Sequence, residues 1–350
     1  MSTSGFARQL FEDSGLAASP EPVAEPLVAA LVERHYGLGG EFERLATEKD
    51  DTFRLRTGSG DHLVKVSPPG EPAEVVALQT AAMRFLEDTA PELPVQRVTR
   101  TSGGADHVVL TTHDGEPRVL RVFGFVAGTV LAQANPAPAQ LTRAGEVLGR
   151  LDRALAAFAH PADGRRLVWD IRHFARLTEL TESTSDTGHV RLAREVFRRF
   201  ETAVVPHLGH LETQVIHGDF SPHNVVVDPQ RDDYVIGIID FGDTVRSAVV
   251  FDPAVPMANL LGRTPHDPWL EARAFAEGYT RVRPLGDREI PVLPVAALAR
   301  LTLRALITDW RAQRAPHRRD YLLGHAKDDW TNVERVLSAP DPAFRTENTP

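Results

Sequence analysis

The stretch that most constrains this chain runs from Val215 to Asp243. It opens with Val215-Ile216 and continues His217-Gly218-Asp219-Phe220-Ser221-Pro222-His223-Asn224. Two short apolar runs follow, Val225–Val227 and Val235–Ile239, separated by Asp228-Pro229-Gln230-Arg231-Asp232-Asp233. Apolar runs flanking a turn-rich loop predict a β-hairpin. The hairpin hands the chain to Asp240-Phe241-Gly242. Antiparallel pairing would bring Asn224, just before the hairpin, close to Asp240, just after it. A fold for this chain must therefore present Asp219, Asn224 and Asp240 at one place.

A carboxylate, an amide five residues on and a second carboxylate after a hairpin suit phosphoryl transfer. Mg²⁺ takes hard oxygen donors and phosphate oxygens rather than imidazole. On this reading Asp219 sits beside an incoming hydroxyl as the catalytic residue, and its main task is orientation. Asn224 and Asp240 are the candidate metal ligands. Single Asp and Asn residues in loops usually cap turns; the combination, in its hairpin context, is what points to chemistry. His217 reads as a structural histidine of the loop, and no role is assigned to His223. The other twelve histidines have no zinc-ligand spacing.

Upstream, Lys65 lies mid-strand in His62-Leu63-Val64-Lys65-Val66. A lysine among apolar strand residues is either paired in a site or protects a sheet edge; with the downstream motif, it reads as the phosphate-gripping lysine. Glu74 opens the next helix and is the candidate partner of Lys65, with a plain N-terminal carboxylate as the alternative. No Gly-x-Gly-x-x-Gly precedes Lys65, and Glu48-Lys49-Asp50-Asp51-Thr52-Phe53 stands in its place. Backbone amides around Asp51–Phe53 are the expected supplement to the phosphate grip.

Helical and strand periodicities divide the remainder. Residues 1–20 read as a flexible lead-in. Pro22–Tyr36 reads as a helix, Phe42–Leu45, Thr52–Thr57 and His62–Val66 as strands, and Glu74–Phe85 as a helix. Val108–Thr112 and Val119–Phe125 complete a β-rich lobe, joined by a turn at His113-Asp114-Gly115-Glu116. The pattern then becomes mainly helical, at Leu141–Phe158, Ile171–Leu180, Val190–Val205, Trp269–Arg281 and Val292–Arg314. The expected domains are 21–125 and 126–340, with a loose tail at 341–350.

The chain has 350 residues, a formal net charge of −9 and no cysteine. The acidic balance argues against a nucleic-acid partner. The lack of cysteine excludes disulfides and thiolate chemistry. No signal sequence or transmembrane run is read, so a cytoplasmic location is expected, with no membrane partner.

Taken together, these residues resemble the aminoglycoside phosphotransferase (choline kinase-like) family. The supporting pieces are Asp51-Thr52-Phe53, Leu63-Val64-Lys65-Val66-Ser67, Gly149-x-Leu151-x3-Leu155, Trp169-Asp170, the His217–Asn224 loop and Asp240-Phe241-Gly242-Asp243. Lys65-Val66-Ser67, the helix from Leu78-Gln79 to Phe85-Leu86 and the fourth acid, Asp243, place the resemblance nearest the hydroxylysine kinase branch. The resemblance implies an α+β, bilobal protein-kinase-like fold with a β-rich N-lobe, a hinge near Arg121–Phe125 and a mainly helical C-lobe. It implies ATP or GTP as donor, Mg²⁺ as cofactor, and Arg121 and Phe123 beside the nucleotide. The implied acceptor is a hydroxyl on an amine-bearing metabolite, a hydroxylysine-like amino acid in the first place. Aminoglycoside, homoserine or choline/ethanolamine acceptors, or a non-catalytic nucleotide-binding regulator, are the alternatives. Asp243 could serve the amine or cap its own loop, and Asp252 is expected to brace the catalytic loop.

Overall fold

In a computed structural model the described residues are 3–15, 22–47, 49–111, 115–314, 324, 327–340 and 342. Glu48, the expected turn residues His113 and Asp114, Thr112 and most of the expected loose tail lie outside them.

The N-lobe is built on one antiparallel sheet. Its strands are β1 (Glu41–Leu45), β2 (Asp51–Thr57), β3 (Gly60–Val66), β4 (Val98–Thr99), β5 (Val108–Thr111) and β6 (Pro117–Gly124), in the order β1-β2-β3-β6-β4 with β5 also on β6. Strand side chains alternate between faces, which sorts this sheet cleanly. Phe53, Leu55, Val64, Val66, Leu120 and Val122 point to one side and form a core with Val28, Val32 and Tyr36. Those three belong to α2 (Glu25–Tyr36), so the helix covers that face. The register aligns Thr52 with Lys65 and Lys65 with Arg121, one row across three strands on the other face. Helix α3 (Ala73–Thr89) sends Leu78, Ala82, Met83 and Leu86 into the larger core.

Between the lobes, β6 runs unbroken to Gly124. Four of the five residues of the expected hinge at Arg121–Phe125 therefore lie in the sheet: all of Arg121–Gly124 pair with β3, and Val122 and Phe123 also pair with β4. The chain leaves the sheet at Phe125 and reaches β7 (Thr129–Val130), which pairs with Val226 and Val227.

The C-lobe packs α4 (Pro138–Leu155), α5 (Thr187–Ala203), α6 (Phe251–Leu260), α7 (Leu270–Val282), α8 (Val292–Arg314) and α9 (Asp329–Ser338) around the main core. Helices α4 and α7 cross through small residues. A Cβ added at Gly145 would lie 2.0 Å from the Phe275 carbonyl, and one at Gly278 would lie 1.9 Å from that of Thr142. Against this layer sit two small sheets, β10-β9-β7 and β11-β8. Their further strands are β8 (Thr213–Ile216), β9 (Val225–Val227), β10 (Val235–Ile238) and β11 (Val245–Ala248).

Two further expectations need correction, and one helix was not foreseen. Residues 3–13 are not a loose lead-in but a helix, α1 (Thr3–Asp13). Phe6, Ala7, Leu10 and Phe11 form a helical stripe; Ala7, Leu10 and Phe11 are buried in the main core, with Phe11 stacked 3.9 Å from Trp310. Ile171–Leu180 is two short 3-10 turns, Ile171–Arg176 and Thr178–Ser183, rather than one helix. Asp170 caps the first by accepting from the Arg172 N–H. Helix α6 was hidden by Pro253 and Pro256, which disfavour a helix interior. No helix among the described residues is long and apolar enough to cross a membrane.

Candidate active site

The hairpin assembles as its sequence requires. Val225 pairs with Ile238, and the Ile239 N–H donates to the Asn224 carbonyl at 3.0 Å. Asn224 and Asp240 thus flank the same hydrogen-bonded end of one hairpin. Asn224 Nδ2 donates to Asp219 Oδ2 at 2.7 Å and to the Asp219 carbonyl at 3.0 Å. With its amide nitrogen so engaged, Asn224 keeps its side-chain oxygen as the atom that could hold a metal.

The loop before it is held by a single acid. Asp252, fully buried at the start of α6, accepts from the His217 N–H at 3.0 Å and the Gly218 N–H at 2.9 Å. His217 is also fully buried, and its Nδ1 accepts from the Asp219 N–H at 3.2 Å. Burial pushes its imidazole below the usual range, against the opposing pull of Asp252 and Asp240. It is a neutral brace for the turn that aims Asp219. Gly218 has φ +78°, and a Cβ there would lie 2.4 Å from the Asp243 carbonyl. The glycine of His-Gly-Asp is therefore a packing requirement as well as a conformational one.

Asp240 adopts φ 61° and ψ 80°, a left-handed conformation uncommon for residues other than glycine and reached most readily by Asn and Asp. Its Oδ1 accepts from the Gly242 N–H at 3.1 Å. Its Oδ2 lies 3.1 Å from Lys65 Nζ. Desolvation opposes its charge, but the Lys65 ammonium and the Gly242 N–H outweigh it and hold the carboxyl below its usual range. This ion pair joins β3 to the catalytic hairpin across the cleft.

Thr47, Lys49, Asp50, Thr52, Lys65, Gln79 and Arg121 line that cleft from the N-lobe, and Trp169, Asp219, Asp240, Gly242 and Asp243 line it from the C-lobe. Lys65, Asp219 and Asp240 thus share one cavity, and Asn224 reaches it through its bond to Asp219.

Other expected contributors are placed differently. Glu74 is exposed in the first turn of α3. Lys65 instead pairs with Asp240 and, at 3.6 Å, with Asp50. Helix phase explains the correction. Gln79 follows Glu74 by five residues, which at 100° each turns it about 140° around the axis and into the cleft. Gln79 Oε1 accepts from Arg121 Nη1 at 2.7 Å, and its Nε2 donates to the Gly242 carbonyl at 3.4 Å. Glu74 keeps the N-terminal position that the helix dipole favours.

Asp51 and Phe53 lie on the far face of β2. Asp51 accepts from the Val23 N–H at 2.7 Å and pairs with Arg44, while Phe53 is buried against α2. Their segment is paired on both sides, with β1 from Thr52 onward and with β3, so its amides belong to the sheet. Asp50, one residue earlier, is the acid that turns inward. Arg121 does face the cleft, with Nη2 3.3 Å from Asp50. Phe123 points to the same side but is buried in the main core rather than lining the cavity.

Asp243, the fourth acid of the motif, lines the cleft, and beside it lie two arginines that the motif did not signal. Asp243 is pushed up by burial, and nearby Arg165 and Arg300 oppose that rise. Arg165 donates to the Gly242 carbonyl at 2.8 Å and approaches Glu71 at 4.0 Å; Glu71 also binds Lys49 at 2.7 Å. Arg300, from α8, sets its guanidinium 4.4 Å over the Trp169 ring and lies 3.9 Å from Asp219 Oδ1.

Among the described residues no cluster of three or more His, Cys, Asp or Glu is arranged to hold a metal. Two protein oxygens, from Asn224 and Asp240, suit an ion completed by phosphates and water. That is the manner in which Mg²⁺ joins nucleotides.

The chain is similar to several known kinases. The mouse (Mus musculus) hydroxylysine kinase is 24% identical over 345 residues, covering 91% of each chain. A homoserine kinase of Bradyrhizobium sp. (strain ORS 278) is 34% identical over 266 residues, covering 75% of this chain and 77% of its own. In fold, a microcompartment-associated aminopropanol kinase superposes with a TM-score of 0.69 at 18% identity, covering 90% of this chain and 98% of that one. An amicoumacin kinase solved with AMP-PNP and Ca²⁺ gives 0.64 at 13% identity, covering 95% and 97%. The family model described as "Phosphotransferase enzyme family" (APH) matches residues 41–285, more than half of the chain. The bilobal α+β architecture, the shared cleft and this match lead to one conclusion: the chain belongs to the APH phosphotransferase enzyme family and is a small-molecule kinase that phosphorylates hydroxyl groups.

Proposed function

We propose that this protein transfers the γ-phosphoryl group of ATP or GTP, with Mg²⁺, to a hydroxyl of an amine-bearing metabolite, a hydroxylysine-like amino acid in the first place. The observation that carries it is the convergence of Lys65, Asp219 and Asp240 on one cleft. Lys65 and Arg121 stand in adjacent register on the sheet and offer two cations to the phosphates. Asp219 orients the acceptor hydroxyl, and its bond from Asn224 fixes the carboxylate in one rotamer. Mg²⁺, held by Asn224 and Asp240, would neutralise charge on the phosphates. The hydroxylysine kinase relatives, aligned over about nine tenths of this chain, support the acceptor class. The homoserine kinase relatives make homoserine the second acceptor to try.

The test is nucleoside diphosphate release from Mg-ATP and Mg-GTP with 5-hydroxylysine, homoserine, choline, ethanolamine, aminopropanol and an aminoglycoside. Acceptor-dependent release with a hydroxylated amine supports the reading. Nucleotide binding without release on any acceptor would reduce the protein to a nucleotide-binding regulator.

A further inference from the structure

Helix α1 lies outside residues 41–285, the part of the chain that the family model matches. Its end nevertheless reaches the active-site cleft. Ser14, the residue after α1, is buried and lines the same cavity as Trp169 and Asp219. Its Oγ donates to the Leu10 carbonyl at 2.6 Å and accepts from the Val168 N–H at 2.8 Å. A hydroxyl has one proton and two lone pairs, so giving the proton to the helix leaves the oxygen to accept from the C-lobe. Gly15 follows, and a Cβ there would lie 2.9 Å from Lys49 Cε, so the end of α1 also abuts the N-lobe side of the cleft.

Val168 immediately precedes Trp169, and the segment is tethered on both sides of that ring. Ser14 holds Val168, and Ser247 Oγ donates to Asp170 at 2.7 Å. Asp13, beside Ser14, also pairs with Arg166 at 2.6 Å. The Trp169 ring lies 4.4 Å from the Arg300 guanidinium, which is 3.9 Å from Asp219 Oδ1. Contacts therefore run unbroken from α1 to the acid that orients the acceptor. A buried N–H stripped of its acceptor is costly, so the Val168 amide ties the placement of this segment to the docking of α1.

Resting on the kinase reading above, we propose that Ser14 is a positioning residue for phosphoryl transfer. It fixes Trp169 as the wall that sets the acceptor beside Asp219, which makes α1 part of the active site.

Ser14→Ala tests this with the best acceptor of the panel above. Its kcat/KM for the acceptor should fall by roughly 10- to 100-fold, the scale of a misplacement of about 1 Å, while the Kd of Mg-AMP-PNP stays within about 2-fold. Thermal unfolding reports whether the variant folds; if it does not, Ser14→Cys, whose sulfur is a weaker acceptor, takes its place. A double-mutant cycle with Trp169→Leu separates positioning from general stability. If Ser14 acts through Trp169, Ser14→Ala costs little further kcat/KM once the ring is gone, although its cost in melting temperature persists. An equal loss in both backgrounds, or an unchanged kcat/KM in Ser14→Ala, overturns the proposal. Tryptophan fluorescence reads the same coupling without turnover. The emission that Trp169→Phe removes should move to longer wavelength in Ser14→Ala. That shift in a protein that turns over no acceptor sinks the kinase reading and leaves Ser14 holding Trp169. Turnover of an acceptor with no shift keeps the kinase reading and removes Ser14 from it.

Discussion

Asp252→Ala should damage catalysis without touching a catalytic atom. The Asp252 carboxylate is fully buried and accepts two backbone N–H groups, from His217 at 3.0 Å and from Gly218 at 2.9 Å. Alanine leaves both donors without this acceptor in a site with 0% exposure at His217. The buried His217 donor, left unsatisfied, costs about 1–3 kcal/mol and the half-buried Gly218 donor less, so the variant should lose about 1–4 kcal/mol. Against a typical total of about 5–15 kcal/mol, a folded but weakened protein is expected. The two freed amides flank His217, two residues before Asp219, so the turn that aims the carboxylate should relax. A displacement of about 1 Å in a reacting group can lower the rate by about 100-fold. Nucleotide affinity should change little, because Lys65 and Arg121 stand on the N-lobe sheet. Urea denaturation, acceptor-dependent turnover and nucleotide titration together measure all three. A stability loss under about 1 kcal/mol with full turnover would refute the reasoning, since the loop would then be held by something other than Asp252.

Three further outcomes are expected. Asp219→Ala should cut turnover by about 100- to 10,000-fold while sparing nucleotide affinity; a variant with wild-type kcat removes Asp219 from the chemistry. Asp152 is fully buried beside Asp252 and accepts from the Tyr279 hydroxyl at 2.6 Å; burial and the second acid push its carboxyl well above the usual range. A raised folded pKa means the folded state binds the extra proton, so stability falls as pH rises from about 3.9, the unfolded value, toward the folded one. Asp152→Asn abolishes that slope, and its stability relative to wild type should therefore increase as pH rises above about 4, by up to about 1.4 kcal/mol per unit; a pH-independent difference contradicts the raised carboxyl. Phe11→Ala should cost about 3–5 kcal/mol in urea denaturation, because Phe11 is 1% exposed and stacked on Trp310; a loss below about 1 kcal/mol would mean α1 is undocked in solution.

The catalytic loop was legible because its parts are close in sequence. Asp219, Asn224 and Asp240 are tied by one hairpin, and hairpin pairing follows from local pattern. The bracing role of Asp252 was readable for a similar reason, from its place just after the motif. Lys65 was visible as a cation inside an apolar strand. Its partners were not, because they depend on the phase of distant elements. Glu74 and Gln79 are both polar residues of α3, and only the docking of that helix decides which of them faces the cleft. Asp50 and Asp51 are adjacent acids whose faces are set by where β2 begins. Arg300 lies some eighty residues beyond Asp219 on a helix that the sequence shows only as apolar. The stripe of α1 was readable at Phe6, Ala7, Leu10 and Phe11, but the small polar residues around it obscured the pattern.

The central claim is that this cleft closes on a magnesium nucleotide. A crystal structure with Mg-AMP-PNP tests it most directly. The account predicts Lys65 released from Asp240 onto the phosphates, the metal bound by Asn224 and Asp240, and the γ-phosphate facing Asp219. A nucleotide seated elsewhere, or a metal held without Asn224 and Asp240, would contradict it.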